Sequence, residues 1–206
     1  AGAFFVSSVG YYYIKNGRVI IISSLISKFV EKNPKIFGEG VEDHSRKIIN
    51  LIEEGEGDKL EFKSTMRTNL HTNLTDKKME HAALKTITAY LNSNGGTLLV
   101  GVSNEGEILG MEKDGFPDKD KLNLHFTNLI KTCIGSEYLP FIGHDLITIN
   151  GKSVLKIECL QSDKRVFLKA GNGEEFYVRN GPSSVKLEGS SLVDYIHNKF
   201  NRTGSL

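Results

Sequence analysis

Lys59-Leu60-Glu61-Phe62-Lys63, preceded by Gly55-Glu56-Gly57, and then Asn94-Gly95-Gly96-Thr97-Leu98-Leu99-Val100-Gly101-Val102, followed by Ser103-Asn104-Glu105-Gly106, decide how this chain folds. Side chains alternate across a strand, so Leu60 and Phe62 share one face while Lys59, Glu61 and Lys63 share the other. The second stretch has no polar alternation from Thr97 to Val102, which predicts a strand buried on both faces. A charged strand face needs water, a partner or a chemical role. The simplest expectation is an amphipathic edge strand with its charged face in water.

Between these strands, residues 66–74 read as a polar loop with Arg67 and His71. Thr75 or Asp76 is placed to cap a helix running to about Asn92. Its expected buried stripe is Met79, Ala82, Ala83, Ile87, Tyr90 and Leu91. Asn94-Gly95-Gly96 ends it, the glycines supplying a left-handed cap. Beyond lie a short strand expected at residues 108–111 and a helix from Asp118 or Lys119 to Ile134. Strands follow at residues 141–149, 153–160, 166–169 and 175–178, with a closing helix at 192–200. Asn150-Gly151 is a tight-turn signal joining the first two of these strands. Towards the N-terminus, residues 41–54 have helical periodicity ending at Gly55. Asn16-Gly17 between two apolar runs predicts a hairpin, followed by a short helix at residues 24–30. The order is α+β: a mixed β-sheet flanked by helices, over residues 41–206, with a hairpin-plus-helix appendage over residues 1–40.

Composition narrows the function. The chain has 206 residues, 39% hydrophobic and 25% charged, enough for a real core. A net charge of +1 gives no global field for nucleic acid, so such binding needs a local patch. Cys133 and Cys159 have neither disulfide-framework nor zinc spacing and read as buried reduced thiols, which suits a cytoplasmic setting. Neither N-terminal apolar run reaches the 18–20 residues of a membrane span. No signal-peptide pattern is expected from their flanks. His44, His125, His144 and His197 lack metal-ligand spacing.

Glu56 and Glu61 are the carboxylates best placed to hold a divalent cation against a phosphodiester, with Lys63 available to neutralise developing charge. Two carboxylates make a weak site, so a third oxygen ligand is expected. Arg67, His71, Lys77, Lys78, His81, Lys85 and Arg179 are candidates for phosphate contacts. Lys78, His81 and Lys85 are spaced to share a helix face. Lys164, Arg165 and Lys169 form a smaller basic cluster that reads as ordinary surface.

Gly55-Glu56, Leu60-Glu61-Phe62-Lys63, the Gly95–Val102 run and Phe176-Tyr177-Val178-Arg179-Asn180-Gly181, in that order, resemble the Schlafen-type AlbA_2 domain over residues 48–185. The resemblance implies an α+β module that binds DNA or RNA. In nucleolytic Schlafens two glutamates and an aspartate form a metal-dependent ribonuclease site. By resemblance the glutamates correspond to Glu56 and Glu61, and the aspartate to Asn104. An amide there weakens a cation site, which favours holding nucleic acid over cutting it. Binding then requires no cofactor; the alternative, an endoribonuclease, requires Mg²⁺ or Mn²⁺. The family's zinc ligands have no counterpart here, so zinc is not expected. No Gly-Lys-Ser/Thr phosphate loop is present, so no ATP site is expected in this segment. The resemblance also implies a regulatory or targeting module of a larger protein, pairing as a homodimer. A third reading is a structural domain that self-associates through its N-terminal hairpin.

Overall fold

The computed structural model describes residues 3–7, 10–15, 18–21 and 40–200, with side chains from residue 44 onward. The chain divides into two compact units, Ala1–Arg46 and Lys47–Leu206. The first holds a three-stranded antiparallel sheet of β1 (Ala3–Ser7), β2 (Gly10–Lys15) and β3 (Arg18–Ile21). Lys15 lies opposite Arg18 and Tyr12 opposite Ile21, which is the expected hairpin. β1 extends it by a third strand paired to β2. The helix expected at residues 24–30 falls outside the described residues.

Helix α1 (Gly40–Glu54) leads into the second unit. There β4 (Leu60–Lys63), β7 (Gly96–Val100), β9 (Lys152–Cys159) and β8 (Ile142–Ile149) form a sheet in the order β4-β7-β9-β8. β4 and β7 are parallel and the other pairs antiparallel, so the sheet is mixed, as expected. β5 (Thr68–Asn69) and β6 (Leu74–Thr75) make a small hairpin inside what reads as a polar loop in the sequence. A second antiparallel sheet holds β10 (Leu168–Ala170), β11 (Gly173–Asn180) and β12 (Ser183–Leu187). β12 lies beyond the last expected strand. Residues 108–111 form only an isolated bridge, Val102 to Ile108, rather than a strand.

Helix α2 (Lys77–Asn92) is capped by Asp76, whose carboxylate accepts from Lys78 N at 2.9 Å. It packs against β7 and β9 of one sheet and β10, β11 and β12 of the other. Residues 86–93 are therefore all buried, a full circumference rather than a stripe. Ala83, Ile87, Tyr90 and Leu91 lie inside as expected, while Met79 and Ala82 are half-buried. Helix α3 (Lys119–Cys133), capped by Asp118, adds Leu122, Phe126 and Ile130 to the same core. On the other face of the first sheet, Ile48 of α1 packs with Leu60, Phe62 and Leu99. Leu98, Leu99 and Val100 are fully buried, so β7 is covered on both faces.

Two details fix this arrangement. Asn92, fully buried, donates to Val166 O (2.7 Å) and Tyr177 O (3.0 Å) and accepts from Val166 N (2.9 Å). One amide thus ties α2 to the second sheet with its polar atoms satisfied. Gly95 has φ +73°, and a Cβ there would meet Cys159 O at 2.5 Å. A Cβ at Gly96 would strike the Tyr90 ring at 2.3 Å, so the ring occupies the space the glycine leaves. The C-terminal carbonyls of α2 are served from elsewhere: Tyr195 and Lys199 of α4 (Gly189–Phe200) bind Asn92 O and Ser93 O, each at 2.8 Å. Lys59 binds Asn94 O. These lysines place positive charge at the negative end of the helix.

Candidate functional site

β4 lies at a sheet edge, but the carboxylate at the centre of its charged face is largely withdrawn from water. The Glu61 side chain is 13% exposed and the Arg179 side chain 1%. Arg179 NH1 donates to Glu61 Oε2 at 2.8 Å and to Ser184 Oγ at 3.1 Å. Its NH2 donates to Gly57 O at 2.7 Å, and its guanidinium lies 4.9 Å from the centre of the Tyr90 ring. The Arg179 backbone N–H binds Ser93 Oγ at 2.8 Å. Lys63 Nζ contacts Glu61 Oε1 at 2.5 Å, so both carboxylate oxygens face cations. Arg179 of the second sheet therefore covers Glu61 and pairs with it.

This places the expected site residues in two groups. Glu61, Lys63 and Arg179 meet in one partly buried cluster. Glu56, exposed, accepts from Phe62 N at 2.8 Å, which brings its carboxylate to the same strand. Asn104 sits exposed in the turn at residues 103–106, where Ser103 Oγ accepts from Glu105 N and Glu107 N. Among the described residues no three His, Cys, Asp or Glu side chains gather as a metal-holding group. Arg179, expected among the candidates for phosphate contacts, is instead turned inward. β11 is buried continuously from Phe176 to Val178 and through Arg179, so the guanidinium points into the protein.

The second group lies at the N-terminal end of α2. Lys77 and Lys78 are exposed and form no ion pair among the described residues. Arg67 sits just before β5, with its guanidinium 3.8 Å from the centre of the Phe116 ring. It donates from Nε to Asp114 O at 2.8 Å and from NH2 to Gly115 O at 3.3 Å. Asp114 braces this segment, and sequence reading passes over it. Only 2% exposed, its carboxylate accepts from Met66 N (2.7 Å), Arg67 N (2.9 Å) and Thr68 N (2.9 Å). The small hairpin of β5 and β6, with Leu74 67% exposed and His71 exposed, is thereby held on a fixed base.

Further along α2, His81 Nε2 lies 2.6 Å from Glu175 Oε2 of β11, and Lys85 is half-exposed. Burial pulls the Glu175 carboxyl upward, but hydrogen bonds from His81, Tyr177 and Lys186 outweigh it and hold it below the usual carboxylate value. A depressed carboxylate stabilises the fold above its unfolded value and loses that contribution as pH falls through the folded one. Urea midpoints measured from pH 6 down to pH 3 are thus expected to fall more for the wild type than for Glu175→Gln. Parallel curves would remove Glu175 from the acid response. Cys159 is buried, and burial raises its thiol above the ordinary value, consistent with an inert side chain.

No helix among the described residues is long and apolar enough to cross a membrane. Comparison with curated proteins finds no match. Similar solved structures include these two. One is the DIP2311 protein from Corynebacterium diphtheriae, at 16% identity and TM-score 0.49, covering 69% of this chain. This chain spans only 24% of that protein. The other is the N-terminal domain of a putative ATP-dependent DNA helicase RecG-related protein from Nitrosomonas europaea, at 19% identity and TM-score 0.44. The match covers 65% of this chain and 87% of that one. A family profile described as Schlafen, AlbA_2 matches residues 56–188, which take in β4, α2, the Gly95–Gly96 turn, Arg179 and β12, and the chain belongs to that family.

Proposed function

We propose that this domain holds DNA or RNA by its backbone, without sequence preference, using the surface at the start of α2. One observation carries the reading: Lys77 and Lys78 are exposed and form no ion pair among the described residues, on a helix end next to a hairpin braced by Asp114, whereas Lys63 and Arg179 are spent on Glu61. Cations that keep their charge available on a rigid base suit phosphate contacts, which are sequence-independent. The role is then a regulatory or targeting module that holds nucleic acid with no cofactor.

The test is fluorescence anisotropy of the full chain with duplex DNA, single-stranded DNA and tRNA across a salt series. The expected result is an affinity that falls linearly on a log–log plot. The variant Lys77→Ala/Lys78→Ala is expected to lower the slope by about two on duplex DNA. A flat salt response, or no binding at low salt, overturns the proposal.

A second reading, metal-dependent cleavage of RNA, rests on Glu56, whose carboxylate accepts from Phe62 N of β4, the strand that carries Glu61. It requires Glu61 to release Arg179 and Lys63 before it can hold a cation. Mg²⁺- or Mn²⁺-dependent cleavage of structured RNA, lost in Glu56→Gln while circular dichroism stays native, would establish it. Equal traces with and without Mg²⁺ and Mn²⁺ remove it.

A further inference from the structure

The loop joining β9 to β10 is exposed yet held at many points. Leu160 N donates to Phe141 O and Ser162 N to Leu91 O, each at 2.8 Å. Lys164 N donates to Ser162 Oγ at 3.0 Å, and Arg165 O accepts from the Tyr138 hydroxyl at 2.7 Å. Val166 is gripped through both its N–H and its carbonyl by the buried Asn92 amide. Between these anchors Asp163, Lys164 and Arg165 are exposed. Neither Lys164 nor Arg165 has an ion-pair partner among the described residues. With Phe167 and Phe200 these three residues line an open cleft of 370 Å³, within the range of small-ligand sites. Phe167 is itself steadied by Phe176, ring centres 5.2 Å apart.

Two cations beside an aromatic ring match the chemistry of single-stranded nucleic acid, with phosphate on the cations and a base on the ring. Asp163 in the same lining disfavours a simple anion. It suits a ligand that brings N–H donors together with its phosphates, as a nucleobase does. Anchoring the loop beforehand lowers the entropy cost of binding.

We propose that this cleft is a second nucleic-acid contact that takes an unpaired base against Phe167 and the neighbouring phosphates on Lys164 and Arg165. It rests on the reading of the α2 surface given above and extends it. Lys77 and Lys78 begin α2, and the loop is tied to Leu91 and Asn92 at its far end. A helix of 16 residues spans about 24 Å. At the 3.4 Å rise of a stacked strand about seven nucleotides reach from one contact to the other, and an unstacked strand needs fewer.

Anisotropy with the full chain and single-stranded oligonucleotides of four and twelve nucleotides, and a twelve-base-pair duplex, tests this. Lys164→Ala/Arg165→Ala is expected to weaken the twelve-nucleotide strand roughly tenfold at low salt and to lower its salt slope by about 1.4. Phe167→Leu is expected to weaken the single strand about fivefold and leave the duplex unchanged. If Lys77→Ala/Lys78→Ala weakens binding and Lys164→Ala/Arg165→Ala does not, this contact is overturned and the α2 surface stands. If the cation variant weakens single strand and duplex alike while Phe167→Leu is silent, the base slot is overturned. If the wild type binds none of the probes, both readings fall together.

Discussion

Replacing Arg179 by alanine is expected to cost about 3–5 kcal/mol of folding stability, read as a lower urea midpoint at unchanged slope. The side chain is 1% exposed and joins Glu61, Ser184 and Gly57 while lying over Tyr90. Its removal leaves Glu61, itself 13% exposed, with Lys63 alone as counter-charge, and leaves Gly57 O without that donor. Arg179→Lys is expected to recover part of the loss only. An ammonium is a point charge and cannot span Glu61 and Gly57 with a planar fork while also lying over a ring. The paired variant Glu61→Leu/Arg179→Met separates the two causes. Replacing both partners of a buried pair by apolar groups is often near neutral, so the double variant should be more stable than Arg179→Ala. A double variant as unstable as Arg179→Ala would show that the arginine acts through packing rather than through Glu61. This also bears on the nuclease reading, since Glu61→Gln disturbs the same pair and any loss of cleavage in it needs a folding control.

The cluster joins the segments whose order in the sequence carries the family resemblance. Leu60–Lys63 supplies Glu61, the Gly95-Gly96 turn leaves room for Tyr90, and the Phe176–Gly181 stretch supplies Arg179. Segments far apart in the chain are thus tied by one buried charge and the ring over which it lies. The same ion pair occupies a glutamate that resemblance assigns to metal binding. A structural role for Glu61 and a catalytic one compete for the same two oxygens.

Much of the fold was legible because its signals are local. Asp76 and Asp118 cap α2 and α3, where short polar side chains precede helical periodicity. Asn150 and Gly151 both have positive φ, as a two-residue hairpin turn requires. What stayed hidden depends on contacts between distant residues. The charged face of β4 reads as solvated because alternation shows which side chains share a face, not what covers it. The stripe on α2 underestimates burial because the helix lies between two sheets, and periodicity assumes one wet side. Arg179 did carry a usable signal: an arginine at the end of the continuous apolar run Phe176-Tyr177-Val178 is rarely buried unless paired. Asp114 carried none, since Asp-Gly in a loop is ordinary turn chemistry, and its three donors lie 46 to 48 residues away.

Asp114→Ala is expected to destabilise the protein by about 3 kcal/mol, since three backbone N–H groups lose their acceptor in a site 2% exposed and each unsatisfied group costs roughly 1–3 kcal/mol. Water entering the vacated space keeps the sum below three full penalties. Asp114→Asn preserves volume but turns an NH₂ donor towards backbone donors, so about 2 kcal/mol should still be lost. The consequence reaches the proposed interface, because these N–H groups belong to Met66, Arg67 and Thr68, at the root of the β5–β6 hairpin. Released, the hairpin no longer presents its exposed tip beside Lys77 and Lys78 in a fixed geometry, and ordering it on binding costs affinity. Amide exchange at residues 66–68 should accelerate in Asp114→Asn, while exchange in β7 and β9 changes only in proportion to global stability. Weaker nucleic-acid binding at unchanged salt slope would mark Asp114 as a positioning residue, since the phosphate-contacting cations are all still present. If exchange rises equally in β7 and at residues 66–68, the carboxylate serves the whole fold, and the hairpin has no separate anchor.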